Sequence, residues 1–200
     1  LGWSILTVPE ERGGLGLPLV AVAGLIEAQG KAACPSPLLE TLNTGLVLSH
    51  CDQADVGFEA ILEGQSVALA FADQHGSYEP STTQVQASGD VLSGTAYFVQ
   101  EAGKVDALLV AAQSDGGIAW YWVDKSAVGV SVKQDTIIDL TRDQATVSFD
   151  QVPAVKLGSD AGASFAAAHP AISALLAADV VGAGEWLLHT TVEYVSVRKQ

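Results

Sequence analysis

The stretch VPEERGGLGLP, Val8–Pro18, sets two carboxylates, one arginine and three glycines between apolar segments. It admits three readings: a phosphate-cradling loop, a catalytic loop or a backbone corner. A P-loop ends in Gly-Lys-Ser/Thr, which is missing here. A dinucleotide fingerprint needs GxGxxG after a strand, and Gly13, Gly14 and Gly16 have the wrong spacing. The plain reading is a tight corner between helices, with Glu10, Glu11 and Arg12 in solvent.

The sequence on either side divides into three parts. Residues 1–63 read as helical. Pro18 suits a first helical turn, and Leu19, Val22, Ala23, Leu25 and Ile26 share a broad face. Gly30 and the CPSP segment are expected to break that helix, before two shorter helices in LLETLNTGLVLSH and FEAILEG. Residues 64–157 change character. SVALAFAD, VLSGTAYFV, DALLVAA, GIAWYWVD, VGVSV and ATVSFDQV are short runs rich in valine and aromatics, punctuated by Gly and Asp. They predict an antiparallel sheet, a sandwich or a barrel, with no βαβ unit. Consecutive Trp120, Tyr121 and Trp122 face alternate sides of a strand, one side core and the other free for an interface or a ligand. Residues 158–200 are helical again and nearly uncharged up to Glu185. Such a helix is expected in a bundle or an oligomer interface, with Gly182 and Gly184 allowing close contact. The fold class is therefore α+β: N-terminal helices, a middle β-domain and the start of a C-terminal helical bundle.

Composition narrows the function classes. The 200 residues are 48% hydrophobic and 16% charged, a globular profile. The net charge of −14, from 23 acidic and 9 basic residues, argues against a nucleic-acid or anionic-membrane surface. No apolar run of membrane-span length escapes a charge or glycine break. Leu1 opens LGW rather than a basic leader, and the sequence has no Met, so the expectation is a piece of a longer cytoplasmic protein. Cys34 and Cys51 form no CxxC and no disulfide framework.

Self-contained catalytic motifs are missing. GxSxG is absent, and none of His50, His75, His169 and His189 has a triad context. No metal-ligand spacing occurs, and Asp135, Asp139 and Asp143 lack the glycine and terminal Glu of a calcium loop. They read as a solvated connection in which Arg142 pairs locally.

The order of the motifs resembles the acyl-CoA dehydrogenases. LGWSILTVPEERGGLGL is similar to that family's N-terminal signature, in which P-E-x-x-G-G joins helices, and this favours the corner. IEAQGKAACPSPLLET resembles the stretch that follows. LSGTAYFVQEAGKVDALLVAA and DLTRDQATVSFDQVPA resemble two β-domain segments, the second ending in V-x-F-x-x-V-P. VVGAGEWLLHTTVEYVSVRKQ is similar to the first long C-terminal helix, and the subgroup resembled is the actinobacterial type acting on steroid or other bulky acyl-CoAs.

The resemblance implies FAD as cofactor, an acyl-CoA substrate and α,β-dehydrogenation of the thioester. It implies an electron-transferring flavoprotein as acceptor and a homo- or hetero-oligomer. By position it carries flavin contacts to Phe71, Ala72 and Asp73, to Phe98, Val99 and Gln100, and to Arg198, whose family counterpart reaches a neighbouring subunit's FAD pyrophosphate. Ser77 and Tyr78 fall at the substrate side of the flavin loop. Ala72 and Gln100 stand where the family has threonines, and Ser77–Glu79 replaces its Gly-Ser-Asp. The position that carries the catalytic Glu in a minority of members falls at Ile172, so no catalytic residue is assigned. The alternative is a non-catalytic subunit that completes the FAD site of another chain.

Overall fold

A computed structural model describes residues 2–139, 141–158 and 160–199. The opening stretch forms a corner. Gly13 and Gly16 have φ of 87° and 49°, which L side chains rarely adopt. Gly14 lies so close to the chain before it that a Cβ would sit 2.1 Å from the Val8 carbonyl oxygen. The corner closes through backbone bonds from Leu15 N–H to Ile5 O and from Gly16 N–H to Val8 O, at 3.1 and 2.9 Å. Arg12 is not simply solvated. Its guanidinium pairs with Asp55 and lies 5.8 Å from the centre of the Phe58 ring, tying the corner to the third helix.

Three helices follow: α1 (Leu19–Lys31), α2 (Leu38–Leu48) and α3 (Asp55–Leu62). Eight strands come next: β1 (Val67–Ala70), β2 (Gln86–Ser88), β3 (Val91–Gln100), β4 (Ala107–Ser114), β5 (Gly117–Asp124), β6 (Val130–Gln134), β7 (Gln144–Pro153) and β8 (Val155–Gly158). The long helix α4 (Ala161–Val197) closes the order. The strands form one sheet in the order β6-β7-β3-β2-β4-β5-β8, with β1 beside β4. The α+β class agrees with the sequence, but the sheet is mixed. β1 runs parallel to β4, and β2 meets β4 in one parallel pair. The whole β2–β3 hairpin lies between β1 and β4, and a crossover of that length permits parallel pairing.

Both faces of β5 are core. Trp120 and Trp122 join the cluster that α2, α3 and α4 make against the sheet, with Phe71, Leu109 and Phe165. Tyr121 enters the second cluster, with Val99, Leu108 and Phe149 on the opposite face. The expectation of one free aromatic face therefore fails, because helices cover one side and the curled sheet covers the other. Trp120 Nε1 also donates to Ser164 Oγ at 2.8 Å, which fixes α4 to the sheet.

α4 starts at Asp160, whose side chain accepts from Ala163 N–H at 2.8 Å, an N-cap. Its buried positions Ala161, Phe165, Ala168, Ile172, Leu175 and Gly182 step by three, four and seven residues, a single inward stripe that Ser164 joins beside Phe165. The stripe ends in a backbone-level crossing with α1. A Cβ on Gly30 would lie 2.1 Å from Asp179 O, and one on Gly182 would lie 1.9 Å from Glu27 O. Gly30 is thus inside α1 and serves the crossing, while the chain turns at Ala33, φ 45°. Lys31 Nζ and Glu185 Oε1 pair at 2.7 Å beside it. Gly184 meets nothing within 4 Å, so of the two glycines only Gly182 makes the close contact.

Past the crossing, Trp186, Leu187, Leu188, Val192 and Val195 are exposed. By length and composition α4 would suffice to cross a membrane, with a mean hydropathy of 1.5 over an 18-residue window that is 17% buried. The Gly182 contact, the Trp120–Ser164 bond and the Lys31–Glu185 pair seat it instead along α1 and the sheet.

Gly182→Ala is expected to lower thermal stability, because backbone atoms cannot yield to the new methyl. The helix-propensity gain of about 1 kcal/mol is too small to offset that clash. Gly184→Ala lacks the clash and should melt at or above the wild-type temperature. Equal melting of the two variants would show that the crossing tolerates a methyl.

Candidate functional site

Two segments distant in sequence meet beside α4. The first is the loop after β1. Asp73 Oδ1 accepts from His75 N–H at 2.9 Å and Ser77 N–H at 3.0 Å, and Gly76 N–H donates to Asp73 O at 3.1 Å. These bonds wind the loop into a compact turn. The Ser77 bond first, then that of His75, holds the Asp73 carboxyl below its ordinary range. The second segment is the end of β3. Its pairing with β7 slips between Ala96 and Val99, and Phe98 takes φ 54°. The irregularity turns the Phe98 ring outward, 41% exposed.

The segments are joined by Tyr97 N–H donating to Ala72 O at 3.0 Å. A Cβ on Gly76 would lie 3.6 Å from Phe98 Cε2, so the bare glycine faces the ring edge. Gln100 Nε2 donates to Phe98 O at 3.1 Å. Ala72, Asp73, Phe98 and Gln100 thus share one neighbourhood. Phe71 and Val99 lie there too, but their side chains are buried, in the helix-side and sheet-side cores respectively. Their side chains are therefore turned away from the opening.

Tyr78 stands between two openings. Its ring centre lies 4.8 Å from Phe71 and 5.6 Å from Phe165. The residue is 46% exposed, yet packing against these rings desolvates its phenol and, with the Glu40 charge, raises it above the usual range. On one side is a cavity of about 430 Å³ lined by Tyr78, Ser81, Phe165, Ala166, His169 and Pro170. On the other is a cavity of about 280 Å³ lined by Leu39, Glu40, Tyr78, Gln100, Glu101, Arg142, Leu176 and Asp179. Ser77 is half-buried beneath the turn. Arg198 is not in this neighbourhood. It caps α4, stacked 5.6 Å from the centre of the Tyr194 ring, about 30 Å along the axis from Asp179.

The charged wall of the smaller cavity is legible only in three dimensions. Arg142 was expected to pair locally; its guanidinium instead pairs with Asp179 of α4, on a different element. Glu101 is buried, with φ 55°, and accepts from Lys104 Nζ at 2.7 Å. Glu40 on α2 is 8% exposed. Its carboxyl is pushed up to about 7, chiefly by burial and then by the charge of Glu101, with Arg142 opposing. The Asn43 amide is near enough to favour the ionised form, yet both its polar atoms are buried without a hydrogen-bond partner. In sequence, Glu40 and Asn43 looked like ordinary polar residues of a short helix; only a spacing of three, which places them on one face, hinted at a pair.

Among the described residues no group of three or more His, Cys, Asp or Glu is arranged to hold a metal ion. Cys34 is exposed, and burial raises the Cys51 thiol to about 11. His169 lies 5.5 Å from Phe165, ring to ring, on the wall of the larger cavity. Ile172, to which the sequence resemblance carries the position of a minority Glu, is fully buried and apolar.

No family model matches the chain. Two curated proteins of Mycobacterium tuberculosis are similar over its whole length. Acyl-CoA dehydrogenase FadE28 is 28% identical, and the alignment spans 58% of it. Acyl-CoA dehydrogenase IpdE2 is 30% identical, with 52% of it spanned. The chain therefore spans about half the length of these relatives. A solved Tcur3481-Tcur3483 steroid ACAD variant is 28% identical, with a TM-score of 0.81 over the whole chain and 56% of that structure. A structure of PigA with FAD and proline, 21% identical, shares the fold at a TM-score of 0.82. The resemblance to the acyl-CoA dehydrogenases thus extends over the entire chain, in sequence and in fold.

The raised Glu40 carboxyl predicts a pH signature. A carboxyl raised on folding contributes stability that is full below its unfolded value near 4.5 and is lost as pH rises through about 7. The loss amounts to about 3 kcal/mol. In the full-length protein, Glu40→Gln should melt higher than wild type near pH 8, with the gap closing toward pH 4.5. A gap independent of pH would show that Glu40 does not titrate in this range.

Proposed function

We propose that this protein takes part in the flavin-dependent α,β-dehydrogenation of an acyl-CoA thioester, with FAD as its cofactor. The observation that carries this reading is the meeting of the Ala72 loop with the irregular end of β3, beside a cavity walled by α2 and α4. Bound FAD would supply the redox chemistry, accepting a hydride from the acyl β-carbon. The outward Phe98 ring, the side-chain-free Gly76 and the neighbouring backbone fit a flat, largely apolar ring edge.

The residues of this chain orient rather than react. Phe98 and Gly76 form a wall for the flavin, with Gln100 behind it. Ser77 and Tyr78 stand where the thioester would pass from the larger opening into the smaller cavity. Ala72 and Gln100 replace two threonines of the family pattern, so two hydroxyl contacts worth about 1 kcal/mol each are lost. Arg198, with its fixed charge and forked donors, suits the pyrophosphate of an FAD held by a neighbouring subunit. The exposed apolar side of α4 would be covered in such an assembly. We assign the carboxylate that removes the α-proton to no described residue, since Ile172 cannot act as a base.

A second reading has its own support. The substituted flavin loop, with Ala72 and Ser77–Glu79, and the apolar Ile172 favour a subunit that completes the FAD site of a different chain. An electron-transferring flavoprotein as acceptor and a cytoplasmic location belong to both readings.

Visible absorption of the full-length protein, purified alone and after co-expression with a dehydrogenase-like partner, separates the two. A flavin band from the protein alone supports a self-sufficient site; a band only with the partner supports the heteromer; no band in either preparation sinks both. Arg198→Ala is expected to lower FAD retention in the assembled form, and unchanged occupancy would remove Arg198 from the site.

A further inference from the structure

We propose that the cavity between α2, the end of β3 and α4 receives an acyl group bearing a hydroxyl, and that Glu40 selects it. The proposal rests on the acyl-CoA reading above. Leu39, Leu176 and Tyr78 supply apolar wall, as an acyl group needs. Ser36, Gln100 and the Tyr78 hydroxyl add neutral polar groups, and three carboxylates, Glu40, Glu101 and Asp179, face one guanidinium, that of Arg142. Arg142 is committed to Asp179, and Lys104 to Glu101. Glu40 lines the cavity at 8% exposure, its carboxyl makes no ion pair among the described residues, and the Asn43 amide is near enough to favour its charge. Asp179 Oδ1 is buried without a partner. Asn43, one helical turn after Glu40, has both amide atoms buried and unpaired.

The cavity wall thus holds two carboxylates with acceptor capacity left over, Glu40 and Asp179, which are costly to cover without a donor. A saturated acyl tail would seal them away from any donor. A carboxylate would meet Glu40, Glu101 and Asp179 with only one guanidinium, already engaged. A ketone brings no donor. A hydroxyl brings one for Glu40 or Asp179, and its oxygen can accept from the Gln100 amide on the same wall.

The test uses full-length protein in its assembled form. Calorimetric affinities are measured for straight-chain acyl-CoAs from butanoyl to dodecanoyl, each with and without a terminal hydroxyl. At the length that reaches Glu40, the hydroxylated member should bind roughly tenfold tighter, as expected of one hydrogen bond to a charged group. Glu40→Leu should abolish or reverse that preference, and Glu40→Gln, which still hydrogen-bonds, should keep part of it. Equal affinities at every length, or a preference that survives in Glu40→Leu, would overturn the proposal and leave the acyl-CoA reading standing. Binding of no acyl-CoA at any length would overturn both.

Discussion

The close crossing of α1 and α4 is the contact on which the rest of the arrangement depends. Gly30 and Gly182 remove the side chains that would hold the two helices apart, and each meets a carbonyl of the other helix. Backbone at that distance leaves α4 little freedom to slide or roll. Its rotation is therefore set, and with it the side of the cavity on which Leu176 and Asp179 appear. Trp120 and Ser164 set the other end of the same helix against the sheet. Between these two fixings, the inward stripe from Ala161 to Leu175 packs without a charged residue.

A second constraint acts on the β-domain. Phe98 keeps a left-handed backbone that a bulky residue adopts only when its surroundings demand it. Here the demand comes from Val99, drawn into the sheet core, and from Tyr97 N–H, taken by Ala72 O. The ring between them has nowhere to go but outward. Strain at that residue leaves an aromatic surface exposed at the end of an otherwise buried strand.

The cavity itself couples three parts of the chain through charge. Glu40 comes from the helical N-terminal part, Glu101 and Arg142 from the β-domain, and Asp179 from the last helix. The Arg142–Asp179 pair bridges the β-domain and α4, with 26% and 16% of the two side chains exposed. Partial burial makes that pair less screened than a surface bridge, and also makes the loss of either partner more harmful. Glu40 sits beside it, and burial, then the charge of Glu101, make its carboxyl resist ionisation.

Local patterns in the sequence determined the element types. Alternating valine and aromatic runs gave strands, a long uncharged segment gave α4, and the spacing of Gly13, Gly14 and Gly16 excluded a phosphate loop. Those signals act over a few residues, where propensity and periodicity operate. The segments around Ala72 and Phe98 were also identifiable from their similarity to a known motif order. What only the tertiary structure decided depends on partners far apart in the chain. Gly30 became a crossing contact rather than a helix stop, because its neighbour is Asp179. Arg142 found that same Asp179 rather than its local aspartates. β1 paired parallel with β4 across an intervening hairpin, and both faces of the Trp120–Trp122 strand were covered. Glu40 changed from a polar helix residue into a carboxyl raised well above its ordinary range on a cavity wall, since its desolvation and the charge of Glu101 exist only once distant segments are packed together.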